Sequence, residues 1–546
     1  AALGPPGAAQ AAPRAAQAPS APAGGTVGSG LGTCDEAALT NALAGGGTLT
    51  FNCGGPATIL ITSQKYISQA TTINGGGIIT ITGGLATRLF QVDASASLAL
   101  RDIVLDSGFS NGASGGAIAN AGTLSLERTT IQYSQTDAGH AGGAIFTSGP
   151  TTIIDSQFTE NSAAVGGALL AIGARAQVAI YTSTFDHNHV TPTNGHGGAI
   201  AVNPGASVSI HNSTVSYNDS AGDGGGVYNQ GSFASEGTAY IYNTTTQDPN
   251  ASFRGYGGGI ASLGALSLLN DVFLQNFSRY GGGLFVGGTA DPAAAQLSGV
   301  QFVQNRAVFG GGGLYTSADN TSLSIFESIF QGNQADVGGG LSRNTTGLTI
   351  TRSAIGENIA TRGGGLLSSA SPGPGTEVRV YDSTFYSNVV TMTEGGAILN
   401  QGLMDLRNLT LEGNTTGVFN SGSGEVMKMA NTVLHNVGLN CDGDGTKPQS
   451  QGGNFSDDVT CALAASGDSQ GIGLDPLLSE IEITFDLFVT KSFMPLPGSP
   501  LINTAQVACS PVDQRRAVRP DHCDKGAVEY GGLPPRLYLP LLRRNP

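Results

Sequence analysis

Two short motifs recur in fixed order along about 320 residues of the chain, and this repetition restricts the fold more than any other feature. The first motif is Gly-Gly-Ala or Gly-Gly-Gly followed by an aliphatic residue, and neighbouring copies lie 24 to 33 residues apart. The second motif, which falls between copies of the first, is an aliphatic residue or Phe with Asn three positions later. Repetition at this period is typical of solenoids, in which each repeat forms one turn.

Eleven copies of the first motif and ten of the second occur in the chain. The aliphatic residues of the first motif are Ile118, Ile145, Leu169, Ile200, Val227, Ile260, Leu284, Leu314, Leu341, Leu366 and Ile398. The pairs of the second motif are Phe158/Asn161, Phe185/Asn188, Val215/Asn218, Phe273/Asn276, Phe302/Asn305, Phe330/Asn333, Ile355/Asn358, Phe385/Asn388, Leu411/Asn414 and Val433/Asn436. The stretch near Thr246 is interpreted as lacking this Asn.

Between the motifs, polar and apolar residues alternate, as in Leu124-Ser125-Leu126. Alternation with a period of two predicts short strands with one buried face. Short strands in a unit of about 28 residues predict an all-β parallel β-helix (β-solenoid) of roughly 14 coils over residues 51–440. We expect the Asn side chains to stack as a hydrogen-bonded ladder and the Gly pairs to form corners. A β-propeller is the alternative, but its blades are longer and carry four strands.

Composition and charge restrict the partners of the chain. Its net charge is −15, which disfavours nucleic acid and anionic membrane surfaces, because both bind clustered cations. No apolar stretch approaches the ~18 residues that a membrane helix needs, so no membrane insertion is predicted. The 84 glycines occur in pairs and triples and not at every third position, which excludes collagen.

The sequence divides into five segments. Residues 1–30 are an Ala/Pro-rich N-terminal arm, residues 31–110 form the N-terminal cap and first coils, and residues 111–440 form the repeat β-helix. Residues 441–530 are predicted to form a disulfide-containing C-terminal cap, and residues 531–546 form a tail. Because the first residue is Ala1 and not Met, we expect that a signal peptide has been removed.

Six cysteines lie outside the repeats and permit 15 pairings. A disulfide requires Cα atoms within ~7 Å, whereas the two ends of a long solenoid are tens of ångströms apart. This argument pairs Cys34 with Cys53. Proximity in sequence favours the remaining pairs, Cys441–Cys461 and Cys509–Cys523. Zinc is the alternative, but no C-x-x-C spacing occurs, so the cysteines predict an oxidising, extracellular compartment.

Two resemblances add to this interpretation. The repeated motifs resemble the repeats of polymorphic outer-membrane proteins, which implies a right-handed parallel β-helix, secretion and a surface role. The C-terminal region resembles the choice-of-anchor Q proteins, a group of secreted bacterial β-helix proteins. That likeness rests on Asn440-Cys441, Gly452-Gly453-Asn454, Cys461, Asp475-Pro476-Leu477-Leu478, the Pro-rich stretch 495–500, Asp513-Gln514-Arg515, Arg519-Pro520 and residues 523–530. The group implies no general catalytic activity, and Leu533 to Pro546 contains no sortase motif or membrane anchor.

The acidic residues do not predict an active site. Polysaccharide hydrolysis needs two carboxylates about 5–10 Å apart, and only Asp457-Asp458, in the predicted cap, forms an adjacent pair. The acids of the repeats are single residues at turns: Asp186, Asp223, Asp336, Glu357 and Glu394. We therefore predict no catalytic residues, no enzyme activity and no cofactor.

Two groups of residues are candidate metal ligands. The densest cluster is Asp186, His187, His189 and His196, in which His-x-His on a strand would place two imidazoles on one face. The Asp442-Gly443-Asp444-Gly445 stretch hints at calcium but lacks the spacing of an EF-hand loop. Exposed turn residues are the favoured interpretation of both, so no metal site is predicted.

A glycan contact is a further candidate partner. Carbohydrate sites use aromatic platforms, and six tyrosines fall within five repeats: Tyr217, Tyr228, Tyr240, Tyr242, Tyr256 and Tyr280. Scattered surface tyrosines are the alternative. Ten N-x-[ST] sequons also occur, at Asn212, Asn218, Asn243, Asn250, Asn276, Asn320, Asn344, Asn408, Asn414 and Asn454.

The C-terminal tail is short and apolar, and such a segment needs a surface to cover it. We predict that it contacts another copy of the chain through Leu537, Tyr538, Leu539, Leu541 and Leu542. Docking on its own solenoid and a sorting signal are the alternatives.

The leading hypothesis is a non-enzymatic, secreted structural protein that self-assembles into an extracellular filament or surface layer. A single-chain surface adhesin is the alternative, followed by a polysaccharide lyase or hydrolase.

Overall fold

The computed structural model shows an all-β chain that winds into a parallel β-solenoid of about 14 turns, which confirms the predicted fold. It describes residues 23–191, 195–245, 255–288, 295–317, 322–344, 347–369, 376–392, 394–421, 426–444, 446–485 and 489–532. The chain divides into two compact units, Ala1–His189 with Gly205–Thr214 and Val190–Pro204 with Val215–Pro546. Three parallel sheets run through the turns and are named I, II and III below.

The first unit contains strands of all three sheets. Sheet I comprises Lys65–Ile67, Phe90–Val92, Ile118–Asn120, Ile145–Thr147 and Leu169–Ala171. Sheet II comprises Ala23–Val27, Gly47–Phe51, Ala57–Leu60, Thr71–Thr82, Ser97–Asp106, Thr123–Gln132, Thr151–Ile154, Gln157–Thr159, Gln177–Tyr181, Thr184–Asp186 and Ser207–His211. Sheet III comprises Phe109–Ser110, Gln135–Thr136 and Ser162–Ala163, and the strands His189–Val190 and Thr214–Ser216 span the boundary between the units.

The second unit repeats the pattern. Sheet I comprises Ile200–Val202, Val227–Asn229, Ile260–Ser262, Leu284–Val286, Leu314–Thr316, Leu341–Arg343, Leu366–Ser368, Ile398–Asn400, Val418–Asn420 and Cys441–Asp442. Sheet II comprises Ser232–Glu236, Ala239–Ile241, Ala265–Leu269, Val272–Leu274, Ala295–Ser298, Gln301–Val303, Ser322–Phe326, Ile329–Gln331, Gly347–Thr351, Ala354–Gly356, Val378–Tyr381, Thr384–Tyr386, Met404–Arg407, Thr410–Glu412, Met427–Ala430, Val433–His435, Gln449–Gly452, Phe455–Ser456 and Ser469–Gln470. Sheet III comprises Asp219–Ser220, Thr244–Thr245, Phe277–Tyr280 and Arg306–Gly310; Ile359–Ala360 pairs with Val389–Val390, and an antiparallel hairpin joins Glu482–Phe485 to Val489–Ser492.

The first turn is covered by the one helix among the described residues, Glu36–Leu43. Asp35 caps it by accepting a hydrogen bond from the Ala38 N–H at 2.8 Å. Leu39 and Ala42 are buried, and the strand Ala23–Val27 passes so close that a Cβ on Gly25 would lie 2.8 Å from the Ala42 Cα atom. The first strand therefore begins inside the segment predicted as an arm, of which residues 1–22 lie outside the described residues.

The Gly-Gly motifs form corners, as predicted, because each glycine meets a separate backbone requirement. Gly281 has a φ of +66°, which other residues rarely adopt. A Cβ on Gly282 would lie 2.4 Å from the carbonyl oxygen of Gly312 in the next turn. The corner therefore admits no side chain at either position.

The second motif places apolar and polar ladders inside the solenoid. Phe302 pairs in register with Phe273 on one side and Phe330 on the other, and the rings stack with centroids 4.8 and 4.6 Å apart. The Asn305 amide lies next to them, where its Nδ2 donates to the Phe273 carbonyl at 2.8 Å and to the Asn333 Oδ1 at 3.0 Å. Each Asn thus satisfies a backbone group and its counterpart in the next turn, which confirms the predicted ladder.

The prediction that the stretch near Thr246 lacks the ladder Asn is wrong. Asn243 accepts hydrogen bonds from Asn218 and donates from its Nδ2 to the Asn276 Oδ1 at 3.0 Å. Tyr240 fills the position that Phe occupies elsewhere, because its ring stacks on Phe273 and its buried hydroxyl donates to Ser235. The motif is defined by Phe or an aliphatic residue, so it does not include Tyr240. Tyr is accepted in the core here because its hydroxyl has a hydrogen-bond partner.

A second interior ladder is built from hydroxyl groups, and one carboxylic acid interrupts it. In several turns a backbone N–H donates to the Ser hydroxyl of the next turn, as Ser328 does to Ser353 at 3.1 Å. Asp271 occupies this position in another turn, where its Oδ1 accepts from the Thr238 N–H and the Ser235 hydroxyl. Burial is the main cause that raises the pKa of Asp271 to about 8.

Replacing a ladder amide should destabilise the solenoid. Asn305→Ala leaves the Phe273 carbonyl and the Asn276 N–H without their partner in the core. We expect the free energy of unfolding to fall by about 2–5 kcal/mol, measured by chemical denaturation. Gln296→Ala, on an exposed position of a strand, is the control and should change it by less than about 0.5 kcal/mol. Equal effects of the two substitutions would contradict the role of the ladder.

The Asp271 carboxyl should make stability depend on pH. Because its pKa is raised in the folded state, the folded chain keeps a proton that the unfolded chain loses above about pH 4. Stability should therefore fall as pH rises from about 4 to about 8. Asp271→Ser removes this dependence, so its gain over the parent should grow by as much as about 1.4 kcal/mol per pH unit in thermal unfolding. A difference in stability between variant and parent that is the same at about pH 4 and about pH 8 would refute the assignment.

Candidate functional site

The three expected disulfides are formed: one lies at the first turns, one lies in the last turns, and one lies within the C-terminal segment. Cys34–Cys53 links the segment before the helix to the residues that follow the strand Gly47–Phe51, with Cα atoms 5.4 Å apart. Cys441–Cys461 and Cys509–Cys523 have Cα separations of 4.8 and 6.5 Å. Three disulfides indicate an oxidising, extracellular environment.

The segment 441–530, predicted as one cap, contains two different structures. Its first part continues the solenoid, since Cys441–Asp442 pairs with Val418–Asn420 and Ser469–Gln470 pairs with Phe455–Ser456. Its last part, residues 505–532, lies against the outside of earlier turns and is called the strap. The solenoid therefore extends beyond residue 440, and the strap covers a side of it.

Side chains of the strap bind successive turns of the second unit. Gln514 donates to the Ser353 carbonyl at 3.2 Å, and Ser510 donates to Asp382 at 2.5 Å. Arg516 donates from its Nε to the Glu327 Oε1 at 2.6 Å. These partners precede the strap by 128 to 189 residues in sequence, so the strap joins turns that are far apart along the chain.

Buried charges hold the strap together. The Arg519 guanidinium lies 3.6 Å from Asp382 and 3.2 Å from Glu529, and all three side chains are nearly inaccessible. Burial raises the pKa of Asp382, whereas Arg519 is the strongest of the groups that lower it. Asp513 is buried as well and accepts hydrogen bonds from the Ala517 and Glu529 N–H groups at 2.8 and 3.0 Å. The charged residues of the C-terminal motifs thus act as internal contacts of the strap.

The last turns expose a group of apolar side chains, called the terminal patch: Val437, Leu439, Val459, Ile472 and Leu474. Val437 is 82% exposed and Ile472 is 87% exposed. Groups of exposed large apolar side chains on one surface are usually covered by a partner. The terminal patch is therefore the candidate site of subunit contact on the described part of the chain.

Covalent and hydrogen bonds bring the three loops of the terminal patch together. The Cys441–Cys461 disulfide joins the first loop to the second. The Gly473 N–H donates to the Asp457 carbonyl at 3.0 Å, which joins the second loop to the third. Asn440 donates to the carboxylate of Asp457 at 2.5 Å. The patch residues therefore lie on three loops that are linked to one another.

Acidic side chains lie beside His435, two residues before Val437 of the terminal patch. His435 Nδ1 lies 3.0 Å from Glu412, and its Nε2 lies 3.8 Å from Asp457. The hydrogen bond to Glu412 is the main cause that raises the pKa of His435, with Asp457 and Asp475 adding to it. The raised pKa agrees with a local excess of negative charge around the patch.

Several residues predicted as candidate metal ligands contact other groups. His187 contacts Asp186 at 2.6 Å, whereas the ring of His196 stacks on Tyr228 and burial lowers its pKa. Asp442 accepts a hydrogen bond from the Gly443 N–H at 2.8 Å, as in an ordinary turn. Among the described residues, no group of three or more His, Cys, Asp or Glu side chains is arranged to hold a metal ion.

The six tyrosines considered for glycan contact do not form one stripe. Tyr240 is in the core, whereas Tyr217 and Tyr242 stack on each other at a corner, 49% and 42% exposed. Tyr256 and Tyr280 pack with Phe285, Phe309 and Tyr315 in an outer cluster, and Tyr228 lies beside it. Because these rings stack on one another along the solenoid, the cluster offers few open ring faces to a sugar.

Four of the ten sequons begin at positions of the Asn ladder, and two more begin at buried Asn residues outside it. Six of the ten Asn residues are buried: Asn218, Asn243, Asn276, Asn408, Asn414 and Asn454. Asn212 is exposed, Asn344 is half-buried, and Asn250 and Asn320 lie outside the described residues. The repetition of Asn followed by Ser or Thr therefore follows from the interior ladder and does not indicate modification of the folded chain at the buried positions.

Comparisons of the chain with protein-family models, curated proteins and solved structures found no match. The resemblance to choice-of-anchor Q proteins therefore stays a prediction. Within the described residues, no helix combines the length and apolar character needed to cross a membrane. The tail residues predicted as subunit contacts, Leu537 to Leu542, lie outside the described residues.

The terminal patch and the strap contacts are absent from the sequence-based predictions. The strap pairs Arg516 with Glu327 across 189 residues, and no local pattern indicates such a contact. A signal for the patch exists, because Val437 and Leu439 directly follow the last ladder motif, where the repeat no longer predicts a buried position.

Removing the charge of Glu327 should loosen the strap. Its buried carboxylate receives both Arg516 and Arg352, so Glu327→Gln leaves two guanidinium groups without their anion. We expect a loss of about 1–3 kcal/mol in the free energy of unfolding and faster tryptic cleavage at Arg515 and Arg516.

The matched control is Glu394→Gln, which removes a more exposed partner from Arg362. We expect the free energy of unfolding to fall by less than about 1 kcal/mol and the rate of tryptic cleavage in the strap to stay unchanged. If both variants are cleaved at the parent rate, the Glu327 contact does not hold the strap in place.

Proposed function

We propose that the chain is a non-enzymatic structural protein, secreted to the cell surface or beyond, that self-assembles into a filament or surface layer. The single observation that carries this proposal is the terminal patch. Its side chains lie at the last turns of the solenoid, where the described strands of sheet II come to an end. A second copy of the chain is the partner that this surface serves.

An apolar surface at the end of a repeat fold favours association. Repeat proteins normally need terminal turns with polar outer surfaces to stay soluble. Here the first turn is covered by the helix Glu36–Leu43, whereas the last turns expose aliphatic side chains. Contacts between unlike ends of identical chains form open polymers when the rotation does not close.

The charged groups support a structural role. Glu327 and Asp382 are buried, and each is engaged by arginines of the strap. Asp271 lies inside the solenoid beside Ser235 and Tyr240. These carboxyl groups hold chain segments together and do not face a common cleft in which a substrate could bind. The disulfides support an extracellular location, as argued above.

The test is the mass of particles formed by the full-length chain and its variants. Ile472→Asp and Val437→Asp place a charge on the terminal patch, so light scattering should fall to the monomer value and filaments should disappear from electron micrographs. Circular dichroism should remain that of the parent, because both side chains are exposed.

Met392→Asp, also at an exposed apolar residue, is the control and should assemble normally. A parent chain that stays monomeric at high concentration, or patch variants that polymerise like the parent, would refute the proposal.

A further inference from the structure

We infer that the terminal patch binds residues 533–546 of a second copy of the chain. This inference rests on the proposed function and names the segment that fills its contact surface. The tail contains five Leu residues, Tyr538 and three Arg residues, with no acidic side chain. The terminal patch offers the complementary combination of exposed aliphatic groups and negative charge.

Charge complementarity is the first argument. Residues 435–475, which form the patch and its surroundings, contain six Asp and one Lys. In the folded protein, Glu412 and Asp457 lie 3.0 and 3.8 Å from the His435 ring. Opposite charges across an interface favour the encounter and set its orientation. The tail is the basic segment that follows the described chain, with Arg536, Arg543 and Arg544 flanking its leucines.

The pattern of apolar residues is the second argument. In an extended segment, Leu537, Leu539 and Leu541 project from the same face, since side chains alternate along a strand. The strand Ser469–Gln470 pairs with Phe455–Ser456, and among the described strands it has no second neighbour. Peptides often add to a free strand edge while their side chains enter adjacent apolar sites. Pro540 has no N–H, so the added segment can pair along only part of its length.

The path of the strap favours a second copy over the same chain. Lys525 donates to the Gly467 carbonyl near the last turns, and the Ala527 N–H donates to Thr410, three strands of sheet II earlier. At the end of the described chain, the Gly532 carbonyl accepts from Arg515, whose neighbour Arg516 binds Glu327. The strap thus runs away from the terminal patch over its last residues. The tail of the same chain would have to reverse direction to reach the patch, whereas the tail of another copy would not.

The experiment uses disulfide trapping between full-length chains, since all described cysteines are already paired. One copy carries Ile472→Cys, and a second copy with a mass tag carries Leu539→Cys. Mixing and mild oxidation should yield a linked pair of unlike copies, detected by mass spectrometry. The rate of linking should fall about tenfold or more as salt is raised from about 0.05 to about 0.5 M, because charge attraction is screened.

Two controls decide what the link means. Met392→Cys replaces Ile472→Cys as an exposed position away from the patch and should link at most one-tenth as fast. A chain that carries both Ile472→Cys and Leu539→Cys should link to other chains at a rate that rises with concentration. Equal linking at Met392, or links formed only within one chain, would overturn the inference.

A charge-reversal variant separates this inference from the proposed function. Arg543→Glu with Arg544→Glu should abolish both the trapped link and the polymer. If the link is lost while filaments persist, another segment fills the terminal patch and the tail assignment is wrong. If the parent forms neither link nor polymer, both the inference and the proposed function fail.

Discussion

The interior of this solenoid depends on buried amides that bind both neighbouring turns. Each ladder Asn donates to a carbonyl of the preceding turn and to the equivalent Asn of the next, as Asn276, Asn305 and Asn333 do. A narrow core wound from short strands leaves backbone groups at its corners with no strand partner, and such groups are costly to bury unpaired. The stacked Phe rings supply the apolar contact beside the ladder, but the amides define the register in which those rings meet.

The local repeat explains why so much of the fold follows from the sequence. Gly pairs, Phe and Asn meet requirements that recur in every turn, so their spacing predicts the sheets and the ladder. Tyr240 shows where a rule based on residue type fails, because its hydroxyl is satisfied inside the core by Ser235. The helix Glu36–Leu43 was not predicted either, although Asp35 before an Ala- and Leu-containing stretch is a normal helix start.

Contacts between distant segments could not be predicted in this way. The strap binds Glu327 and Asp382 through side chains that are 189 and 128 residues further along the chain, respectively. Neither carboxylate differs in its local sequence from an acidic residue at an exposed turn. The cysteines were predictable because disulfide geometry limits which pairs can meet, whereas an ion pair imposes no comparable limit on sequence. Exposure at the terminal patch also depends on which segments fold back over the last turn, although the end of the ladder motif just before Val437 is a local signal for it.

The burial of the ladder asparagines also restricts how the protein can be produced. Asn218, Asn243 and Asn276 each begin an N-x-[ST] sequence, and each is buried in the folded chain. A cell that attaches glycans to a nascent chain would modify these amides before the turns close. A glycan on any one of them would remove an Nδ2 donor and place a bulky polar group where the next turn must pack. Secretion through a eukaryotic pathway should therefore give misfolded protein, whereas a host without N-glycosylation leaves the ladder free to form.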